Sequence, residues 1–497
     1  MSNLMKLWKN GHFYSLRNPN EVFYNVVTHD GLIVDINAKE DPLLYDEIID
    51  MKGCYVYPGF VDAHMHLLGY GQMLSRPKLF QIKSKEEVIT IIKAHFRNEP
   101  LFAEGYFECG LTKDDLNQIS STYPIYIRHN DYHSITVNDV VLKKMKLMHD
   151  TGVLTEELAV KAMDTYPKYD DEGLDYILKL SIESLYRYGI TGAHSDDLYY
   201  FNGFKDTVKS FERVLKTHPF RAHLLMHHET IDDFMASGRP FLDQSPYLQL
   251  GAVKMFYDGT LSSKTAYMSM KYKDQDQHGI IVNTKEGFIQ LVKKARSFGL
   301  PVAIHVIGDQ GFDEVLDILE AYPPKKGMLD RLIHTPWVKA STLKRLKNIK
   351  LTTDIQPQFL SSDLPWALSY LSKEPDYIFP WKSLLNTGIN LAGSSDAPVE
   401  IPNPLLGIYA ATKRVSDHDH KVYQPHEALT PFEAITLYTK GANYNAEHTN
   451  RGYIDIGFIA DFSVFKNDLL NTDLERYKED LVYMTVIDEK IVFRSLK

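Results

Sequence analysis

The stretch PGFVDAHMHLLGYG, residues 58–71, places two histidines one residue apart at the end of an apolar run. Side chains alternate along a β-strand, so His64 and His66 share one face if this run is a strand. Two neutral imidazoles on one face can bind a single metal ion, or they can be core histidines that hydrogen-bond to nearby backbone. Taken alone, the pair leaves both interpretations open.

Composition narrows the class of protein. The chain has 497 residues, of which 44% are hydrophobic and 24% charged, and this favours a globular protein with a large barrel or two domains. A net charge of -10 argues against a nucleic-acid surface. The two cysteines, Cys54 and Cys109, are too few for a disulfide framework and fit a reducing compartment. Because neither a signal peptide nor a bilayer-spanning segment is evident, we expect a cytoplasmic protein that binds neither membrane nor nucleic acid, with a homo-oligomer left open.

Short apolar runs alternate with helix-like segments through the middle of the chain. This alternation predicts parallel βα units, and eight such units close a barrel. The eight runs chosen as barrel strands are FVDAHMH, GITGAHS, FRAHLLM, GAVKMFY, PVAIHVI, RLIHTPW, IKLTTDI and INLAGSSD. Between the fourth and fifth runs, Gly299 marks the end of the helix-like segment TKEGFIQLVKKARSFG.

The same pattern divides the chain. Residues 1–57 and 446–497 read as short strands joined by turns, and HDG at residues 29–31 is the clearest hairpin. Residues 58–445 hold the predicted barrel. Within it, residues 69–188 are too long for one crossover helix, so we predict an insertion on the catalytic face, between the first two barrel strands.

Ionisable residues recur at the ends of the predicted barrel strands. The fifth strand ends with His305, the sixth with His334 and the eighth with Asp396, while the fourth contains Lys254. Barrels of this kind place their chemistry at the carboxyl ends of the strands. A charged lysine or aspartate in an apolar strand costs free energy unless it is paired or coordinated. These residues therefore predict one site, shared with the histidine pair of the first strand.

The order His-x-His, Lys, His, His, Asp resembles the metal site of the amidohydrolase superfamily. The matching residues are His64, His66, Lys254, His305, His334 and Asp396. The motifs PGFVDAHMHL, VKMFYDGTLSSKTA, IHVIGDQ, DIQPQFL, LAGSSDAPV and RHNDYHSITVND are similar to the branch that contains N-substituted formamide deformylases. The resemblance covers essentially the whole chain. It implies an α/β fold, a distorted TIM (β/α)8 barrel beside a small β-sandwich built from the N- and C-terminal strands.

Two motifs depart from that branch. The family often has a tryptophan-rich GxGW run where this chain reads EGYFECGL, and often GSLGSRTA where residues 259–266 read GTLSSKTA. The first departure predicts a different wall for the substrate pocket. Neither departure touches one of the matching residues.

Lys254 needs a further step, because an ammonium has no lone pair with which to bind a cation. In related enzymes the lysine of the fourth strand is carboxylated, and the resemblance implies a carbamate on Lys254 that bridges two ions. The resemblance implies that His64, His66 and Asp396 hold the more buried ion. His305 and His334 would hold the more exposed ion. Nitrogen ligands favour zinc, although iron or manganese could occupy the same groups. A one-metal site stays open, as does a Lys254 that pairs with Asp258 or another carboxylate.

The implied reaction is hydrolysis of an amide or N-formyl type C–N bond in a small molecule. A divalent ion makes hydroxide available at neutral pH, and Asp396 is suited to accept the proton of the water and pass it to the leaving nitrogen. Two residues are predicted to bind the substrate: His133, unless it is a surface histidine, and Gln356, unless it only satisfies loop backbone.

Two other motifs carry weaker interpretations. Asp309, after the fifth strand, is either a hydrogen-bond partner of a ligating histidine or the N-cap of the following helix. The HHET cluster at residues 227–230 contains two metal-binding side chains. It has no family counterpart, and we interpret it as a loop feature.

Three alternatives compete with an amide hydrolase. A heterocycle aminohydrolase typically has a glutamate soon after the fifth strand, where this chain offers only Asp309. An esterase or lactonase could use the same two-metal site, but those relatives usually lack the flanking sandwich strands. A non-catalytic scaffold with this fold is expected to lose metal ligands, and here every matching position carries a competent side chain.

Overall fold

The computed structural model describes residues 4–496 except 132, 243, 244, 473, 474, 476 and 478–480. The chain forms two compact units. One contains the residues up to 70 together with those from 181 onward, and the other contains residues 71–180. Among the described residues, no helix is both long and apolar enough to cross a membrane. The finer division of the chain at residues 57 and 445 stays a prediction.

The described residues form strands and helices that are numbered here in chain order. The strands are β1 (Lys6–Tyr14), β2 (Val22–His29), β3 (Leu32–Ile36), β4 (Glu47–Asp50), β5 (Tyr55–Pro58), β6 (Phe60–Met65), β7 (Leu101–Tyr106), β8 (Ile125–His129), β9 (Ser134–Val137), β10 (Val153–Thr155), β11 (Ile190–Ser195), β12 (Arg221–His227), β13 (Leu248–Phe256), β14 (Val302–Val306), β15 (Asp330–His334), β16 (Trp337–Val338), β17 (Leu351–Ile355), β18 (Tyr377–Ile378), β19 (Asn390–Gly393), β20 (Phe462–Phe465), β21 (Val482–Ile487) and β22 (Lys490–Arg494). The α-helices are α1 (Leu67–Ser75), α2 (Lys85–His95), α3 (Lys113–Asn117), α4 (Asp139–Met145), α5 (Glu156–Asp164), α6 (Asp171–Arg187), α7 (Phe204–Val214), α8 (Ile231–Ala236), α9 (Lys285–Ser297), α10 (Asp309–Ala321), α11 (Ala340–Leu346), α12 (Gln358–Asp363), α13 (Trp366–Ser369), α14 (Trp381–Asn386), α15 (Pro404–Lys413), α16 (Pro431–Thr436) and α17 (Ala442–Asn445). A π-helical segment, Leu437–Gly441, joins α16 to α17.

Eight parallel strands form the barrel, in the order β6, β11, β12, β13, β14, β15, β17 and β19. They are the eight runs predicted from the sequence. Nearly all of their residues are buried, as expected for parallel strands covered on both faces. Backbone hydrogen bonds of 2.8 Å, from Asp396 N to His64 O and from His66 N to Ala397 O, join the segment after β19 to β6. The ring is therefore nearly closed, and the predicted α/β barrel is confirmed.

Strands from both ends of the chain form a separate sheet. Its order is β22, β21, β20, β5, β1, β2 and β3, with β4 paired parallel to β1. Its apolar core draws on both ends of the chain, with Trp8, Phe13 and Val56 packed in one cluster with Phe462 and Met484. The prediction that the N- and C-terminal strands combine beside the barrel, as a small β-sandwich, is confirmed in that they form this separate sheet.

Two predicted turns are also confirmed. β2 and β3 pair antiparallel across Asp30 and Gly31, whose φ angles of 51° and 78° are those of a tight hairpin turn. Helix α9 ends at Ser297, and Gly299 has a φ of 74° just beyond it. Glycine reaches this left-handed region without the steric cost that a Cβ brings.

Residues 71–180 have a sheet and a core of their own. The four strands β10, β9, β8 and β7 are adjacent in that order, and β7 pairs parallel with β8. One buried apolar cluster includes Val88 and Ile92 of α2, and another includes Val141 and Leu142 of α4. The strands predicted in LFAEGYFECG and PIYIRHNDYHS correspond to β7 and β8. The long helix predicted in GLDYILKLSIESLYRYG corresponds to α6.

Candidate metal centre

Four barrel strands bring the predicted histidine and aspartate ligands together at their carboxyl ends. His64 Nε2 lies 3.4 Å from Asp396 Oδ1, and His66 Nε2 lies 3.6 Å from the same oxygen. The ring centroids of His64 and His334 are 5.6 Å apart, and those of His305 and His334 are 4.5 Å apart. These five side chains therefore form one continuous cluster.

The separations fit a tetrahedral metal ion. Ligand atoms at about 2.0–2.2 Å from such an ion lie about 3.3–3.6 Å from one another, and the separations of 3.4 and 3.6 Å fall in this range. One ligand atom from each of His64, His66 and Asp396 lies within 4.8 Å of the others. Two imidazoles and one carboxylate form a set that binds catalytic zinc with one position open. The residues present therefore fit a divalent ion.

Hydrogen bonds fix which nitrogen His66, His334 and His305 offer to a metal. His66 Nδ1 lies 3.1 Å from the backbone oxygen of Asp196, and His334 Nδ1 lies 2.8 Å from Gln356 Oε1. Since a carbonyl oxygen only accepts, both Nδ1 atoms donate and both Nε2 atoms keep a lone pair for a metal. His305 Nε2 donates to a backbone carbonyl at 3.2 Å, which leaves its Nδ1 free.

Burial keeps the imidazoles of His64, His305 and His334 neutral. It lowers the pKa of His305 to about 3 and the pKa values of His64 and His334 well below the ordinary value, and the charge of nearby Lys254 lowers all three further. A neutral imidazole has the lone pair that a metal ion needs. These three histidines are therefore in their metal-binding form at neutral pH.

Asp396 sits on a turn that Asp62 holds in place. The φ angle of Asp396 is 57°, a left-handed conformation that costs free energy in a residue other than glycine. The preceding Ser395 donates to Asp62 from its backbone N at 3.2 Å and from its hydroxyl at 2.5 Å, and His64 N donates to Asp62 at 3.2 Å. Burial raises the pKa of Asp396 to about 6, so this carboxylate gains from a cation beside it.

Lys254 pairs with a carboxylate. Its side chain is 1% exposed, and its Nζ lies 3.2 Å from Oδ2 of Asp196, which is 0% exposed. Asp258, the partner considered from the sequence, instead accepts hydrogen bonds from the backbone N atoms of Ile307 at 2.9 Å and Gly308 at 2.7 Å. A charge pair therefore exists at Lys254, but Asp258 as its partner is wrong.

Sequence reasoning does not single out Asp196, although a signal is present. Two aspartates, Asp196 and Asp197, directly follow the second barrel strand in GAHSDD, on the face where the other ligands lie. Oδ1 of Asp196 is buried and has no hydrogen-bond partner among the described residues. With its other oxygen on Lys254 and its backbone oxygen on His66, Asp196 contacts two of the predicted ligands.

Gln356 directly follows β17 and is buried. Its Oε1 accepts from His334 at 2.8 Å, and its Nε2 donates to Ser394 Oγ at 2.8 Å. Both ends of the amide are thus occupied, and the contact that it makes orients a ligating histidine. A direct contact with the substrate stays a prediction.

The remaining predicted residues lie elsewhere. His133 belongs to the unit of residues 71–180, its side chain is 70% exposed, and its Nδ1 lies 3.4 Å from Glu156. Its role in substrate binding stays a prediction. Asp309 is the first residue of α10, whose N-cap is Gly308, and the Asp309 carboxylate accepts two hydrogen bonds from Ser269. Both interpretations of Asp309 are therefore wrong.

The HHET cluster begins at the end of β12 and continues into a short 3-10 turn. His227 Nδ1 accepts a hydrogen bond from the backbone N of Glu229, and its ring stacks on Tyr199 with centroids 4.5 Å apart. Among the described residues, the group placed to hold a metal is the first-strand histidine pair with Asp396. The interpretation of HHET as a loop feature agrees with this placement.

A cavity of about 180 Å³ borders the cluster, with His305, His334 and Asp396 in its wall. Most of the remaining wall is apolar. Its aromatic residues are Trp337, Phe359, Trp366 and Phe379. Two carboxylates, Asp363 and Glu400, also line it. The cavity is smaller than the roughly 300–1,000 Å³ of pockets for drug-sized ligands, so it suits a small organic molecule.

A (β/α)8 barrel with this ligand set at the carboxyl ends of its strands is the architecture of metal-dependent hydrolases. Residues 47–493 match the profile described as Amidohydrolase family, and the chain belongs to that family. The family predicted from the sequence is therefore confirmed.

Individual relatives agree with this assignment. The protein YtcJ of Bacillus subtilis (strain 168) is 33% identical, over 98% of this chain and 99% of its own. N-substituted formamide deformylase of Arthrobacter pascens is 23% identical, over 89% of each chain. The crystal structure of an uncharacterized metal-dependent hydrolase from Pyrococcus horikoshii OT3 is 28% identical and superposes with a TM-score of 0.83, over 95% of this chain and 99% of its own.

Proposed function

We propose that the protein hydrolyses a non-peptide C–N bond, in an amide or an N-formyl compound, with metal-activated water. The observation that carries the proposal is the placement of His64, His66 and Asp396 at the separations of zinc ligands. Asp396 also borders the cavity that contains His305 and His334. The similarity to N-substituted formamide deformylase supports an amide-type bond as the target.

Zinc and a carboxylated Lys254 complete the proposed centre. The first-strand histidines with Asp396 would hold a buried zinc ion, and His305 with His334 would hold a second one beside the cavity. The nitrogen-rich donor set favours zinc. Lys254 is buried in β13, where a charged ammonium is costly, and carboxylation would take it from its contact with Asp196.

When bound, a divalent ion lowers the pKa of water and polarises a carbonyl group. The side chains of this protein supply the other requirements. Asp396 accepts a proton from the water and passes it to the leaving nitrogen. Gln356 keeps His334 in its ligating orientation, and Asp62 holds the turn that carries Asp396. The aromatic wall keeps bulk water away from the reacting bond.

A small-molecule substrate and a cytoplasmic location belong to the same proposal. The cavity wall is largely apolar, which fits an uncharged or partly apolar organic body. Cys54 and Cys109 are both free thiols, which supports a reducing compartment.

A heterocycle aminohydrolase has weaker support. A crystal structure of a triazine hydrolase variant shares the fold with a TM-score of 0.60, but at 11% identity this likeness concerns the fold alone. The position of the glutamate expected in that class holds Asp309, whose carboxylate is bonded to Ser269. Amide hydrolysis therefore stays the proposal.

The test joins a metal analysis to an assay. Purified protein would be stripped with a chelator, reloaded with zinc, and incubated with the N-formyl and N-acetyl derivatives of benzylamine while amine release is measured. We expect bound zinc and amine release. His64→Ala should lose both, whereas His218→Ala, a histidine that pairs with Glu183, should keep both. Zinc-loaded protein that releases amine from none of these compounds would contradict the proposal.

A further inference from the structure

The cavity beside the metal centre has an acidic part. Asp363, the last residue of α12, and Glu400, four residues after Asp396, both line it. No lysine or arginine is among the described residues of its wall. The carboxylate of Asp363 has no ion pair or hydrogen bond to another described residue. The described wall therefore presents two carboxylates and neither a lysine nor an arginine, while His418, which is not part of the wall, lowers the pKa of Asp363.

The charge of Glu400 disfavours the ionised form of Asp363. Burial, and then the charge of Glu400, raise the pKa of Asp363 to about 7, and burial also raises the pKa of Glu400. A cation beside the pair would relieve both the repulsion and the lost hydration.

The rest of the wall suits an organic cation rather than a bare metal ion. Four aromatic side chains line the cavity, and aromatic faces attract ammonium groups. One of them, Trp337, is 1% exposed, and its indole Nε1 has no hydrogen-bond partner among the described residues. A buried donor without a partner costs free energy, which a carbonyl oxygen on a bound molecule would recover.

We infer that the cavity selects amide or formamide substrates whose apolar body also carries a protonated amine, which pairs with Asp363 and Glu400. This inference rests on the proposed function and adds the charge of the substrate to it. Hydrolysis of such a compound adds one water across the C–N bond, and it releases a carboxylic acid and a diamine that keeps its cationic end.

A matched pair of substrates tests the inference. N-[4-(aminomethyl)benzyl]formamide carries an ammonium group at neutral pH, and N-(4-methylbenzyl)formamide is its neutral counterpart. We expect kcat/KM of the zinc-loaded protein to favour the cationic compound by at least about tenfold, as a charge-assisted contact requires. In Glu400→Gln and Asp363→Asn this ratio should fall toward one. Glu157→Gln, an exposed control, should keep the wild-type ratio.

A binding measurement separates this inference from the proposed reaction. Titration calorimetry would compare 4-methylbenzylammonium with 4-methylbenzyl alcohol on the metal-free protein. Tighter binding of the ammonium, weakened about tenfold in Glu400→Gln, supports the inference. This holds even if neither formamide is hydrolysed, a result that would contradict only the proposed reaction. Equal binding of the two probes, or hydrolysis of both formamides at equal kcat/KM, overturns the inference and leaves the proposed reaction intact. Circular dichroism would verify that each variant is folded.

Discussion

Asp396 combines two proposed tasks, as a metal ligand and as the proton acceptor. Asp396→Asn keeps the size of the side chain and one ligand oxygen but removes the basic group. We expect kcat to fall by about 10²–10⁴-fold, which is the usual worth of general acid–base catalysis. The assay would be steady-state hydrolysis, with the metal content and the circular dichroism spectrum measured on the same sample. Asp232→Asn, an exposed aspartate in α8, is the control. Near-normal turnover in metal-loaded Asp396→Asn would remove Asp396 from proton transfer.

Substitution of Lys254 tests whether this residue carries a carbamate that binds metal. Lys254→Ala removes the group proposed to bridge two ions, so we expect bound metal and activity both to decrease. A short-chain acid such as acetate or propionate should restore part of each by placing a carboxylate in the vacated space. Plasma emission spectroscopy would count the metal.

The same variant leaves the buried Asp196 without its cation, which destabilises the fold. The double variant Lys254→Ala with Asp196→Asn removes that unpaired charge and serves as the folded reference. If a folded variant lacking Lys254 keeps a full complement of metal and its activity, the bridging role is wrong and Lys254 acts as a charge partner.

Gln356 gives a test of ligand orientation. Gln356→Leu removes the acceptor of the His334 Nδ1 proton, so the ring loses its fixed orientation. Substitution of such a supporting residue typically costs about 10–100-fold in metal affinity, and we expect a loss of that size in competition with a chromogenic zinc chelator. Gln290→Leu, an exposed position of α9, should leave the affinity unchanged. Equal affinities in the two variants would show that Gln356 does not orient His334.

The histidine and aspartate ligands that sequence analysis predicts share one property, which is an ionisable group at or near the end of an apolar run. His305, His334 and Asp396 stand out because such groups are rare in buried parallel strands. Asp196 does not stand out, since it lies in a polar segment beyond its strand. Its importance arises from a contact with Lys254, which is 58 residues away in the chain. A pairing of that kind depends on the positions of β11 and β13, which lie on either side of β12 in the barrel.

At the scale of elements, the eight barrel strands can be predicted from the sequence, but the contacts that loop residues make cannot. The strands carry their own signal in apolar composition and length. Asp309 illustrates the limit, because it is the first residue of α10 and not the N-cap, and its carboxylate accepts hydrogen bonds from Ser269 in the loop after β13. That loop has no periodicity from which its path could be inferred.

A buried ion pair connects the barrel to the terminal sheet. Arg221, the first residue of β12, makes two hydrogen bonds of 2.9 Å to Asp461, which directly precedes β20. Breaking a buried pair by removing one partner typically costs about 3–5 kcal/mol. We expect Arg221→Met to lower the free energy of unfolding by an amount of this size in urea titration. Lys294→Met, which removes an exposed partner of Asp232, should change it by less than about 1 kcal/mol.

The same pair predicts a pH dependence. Burial raises the pKa of Asp461, but the charge and hydrogen bonds of Arg221 outweigh it, so the pKa lies below its ordinary value. The contribution of the pair is therefore present above the unfolded pKa of about 3.9 and is lost as the pH falls through the lower folded pKa. The stability difference between the native protein and Asp461→Asn should shrink below about pH 4. A difference that stays constant from pH 7 to pH 3 would contradict this account.

At the scale of the whole molecule, metal binding and folding are linked. The ligands come from strands spread along the chain from β6 to the segment after β19, so the site exists only in the folded protein. A metal that binds only the folded state stabilises it by about 2.7 kcal/mol at a free concentration one hundred times its Kd. We expect a chelator to lower Tm and added zinc to restore it, measured by calorimetry. In His64→Ala neither treatment should move Tm, and a zinc-dependent Tm in that variant would place the stabilising metal elsewhere.

The sheet that joins both ends of the chain cannot be completed until the C-terminal strands have been synthesised. One edge of β5 pairs with β1, which is made before it, and the other edge pairs with β20. Roughly 400 residues separate β5 from β20, and a ribosome needs roughly 20–80 s to make them at about 5–20 residues per second. During that interval the second edge of β5 has no native partner. An unpaired strand edge is a template for intermolecular pairing, so the nascent chain is exposed to aggregation through β5 until β20 has been made.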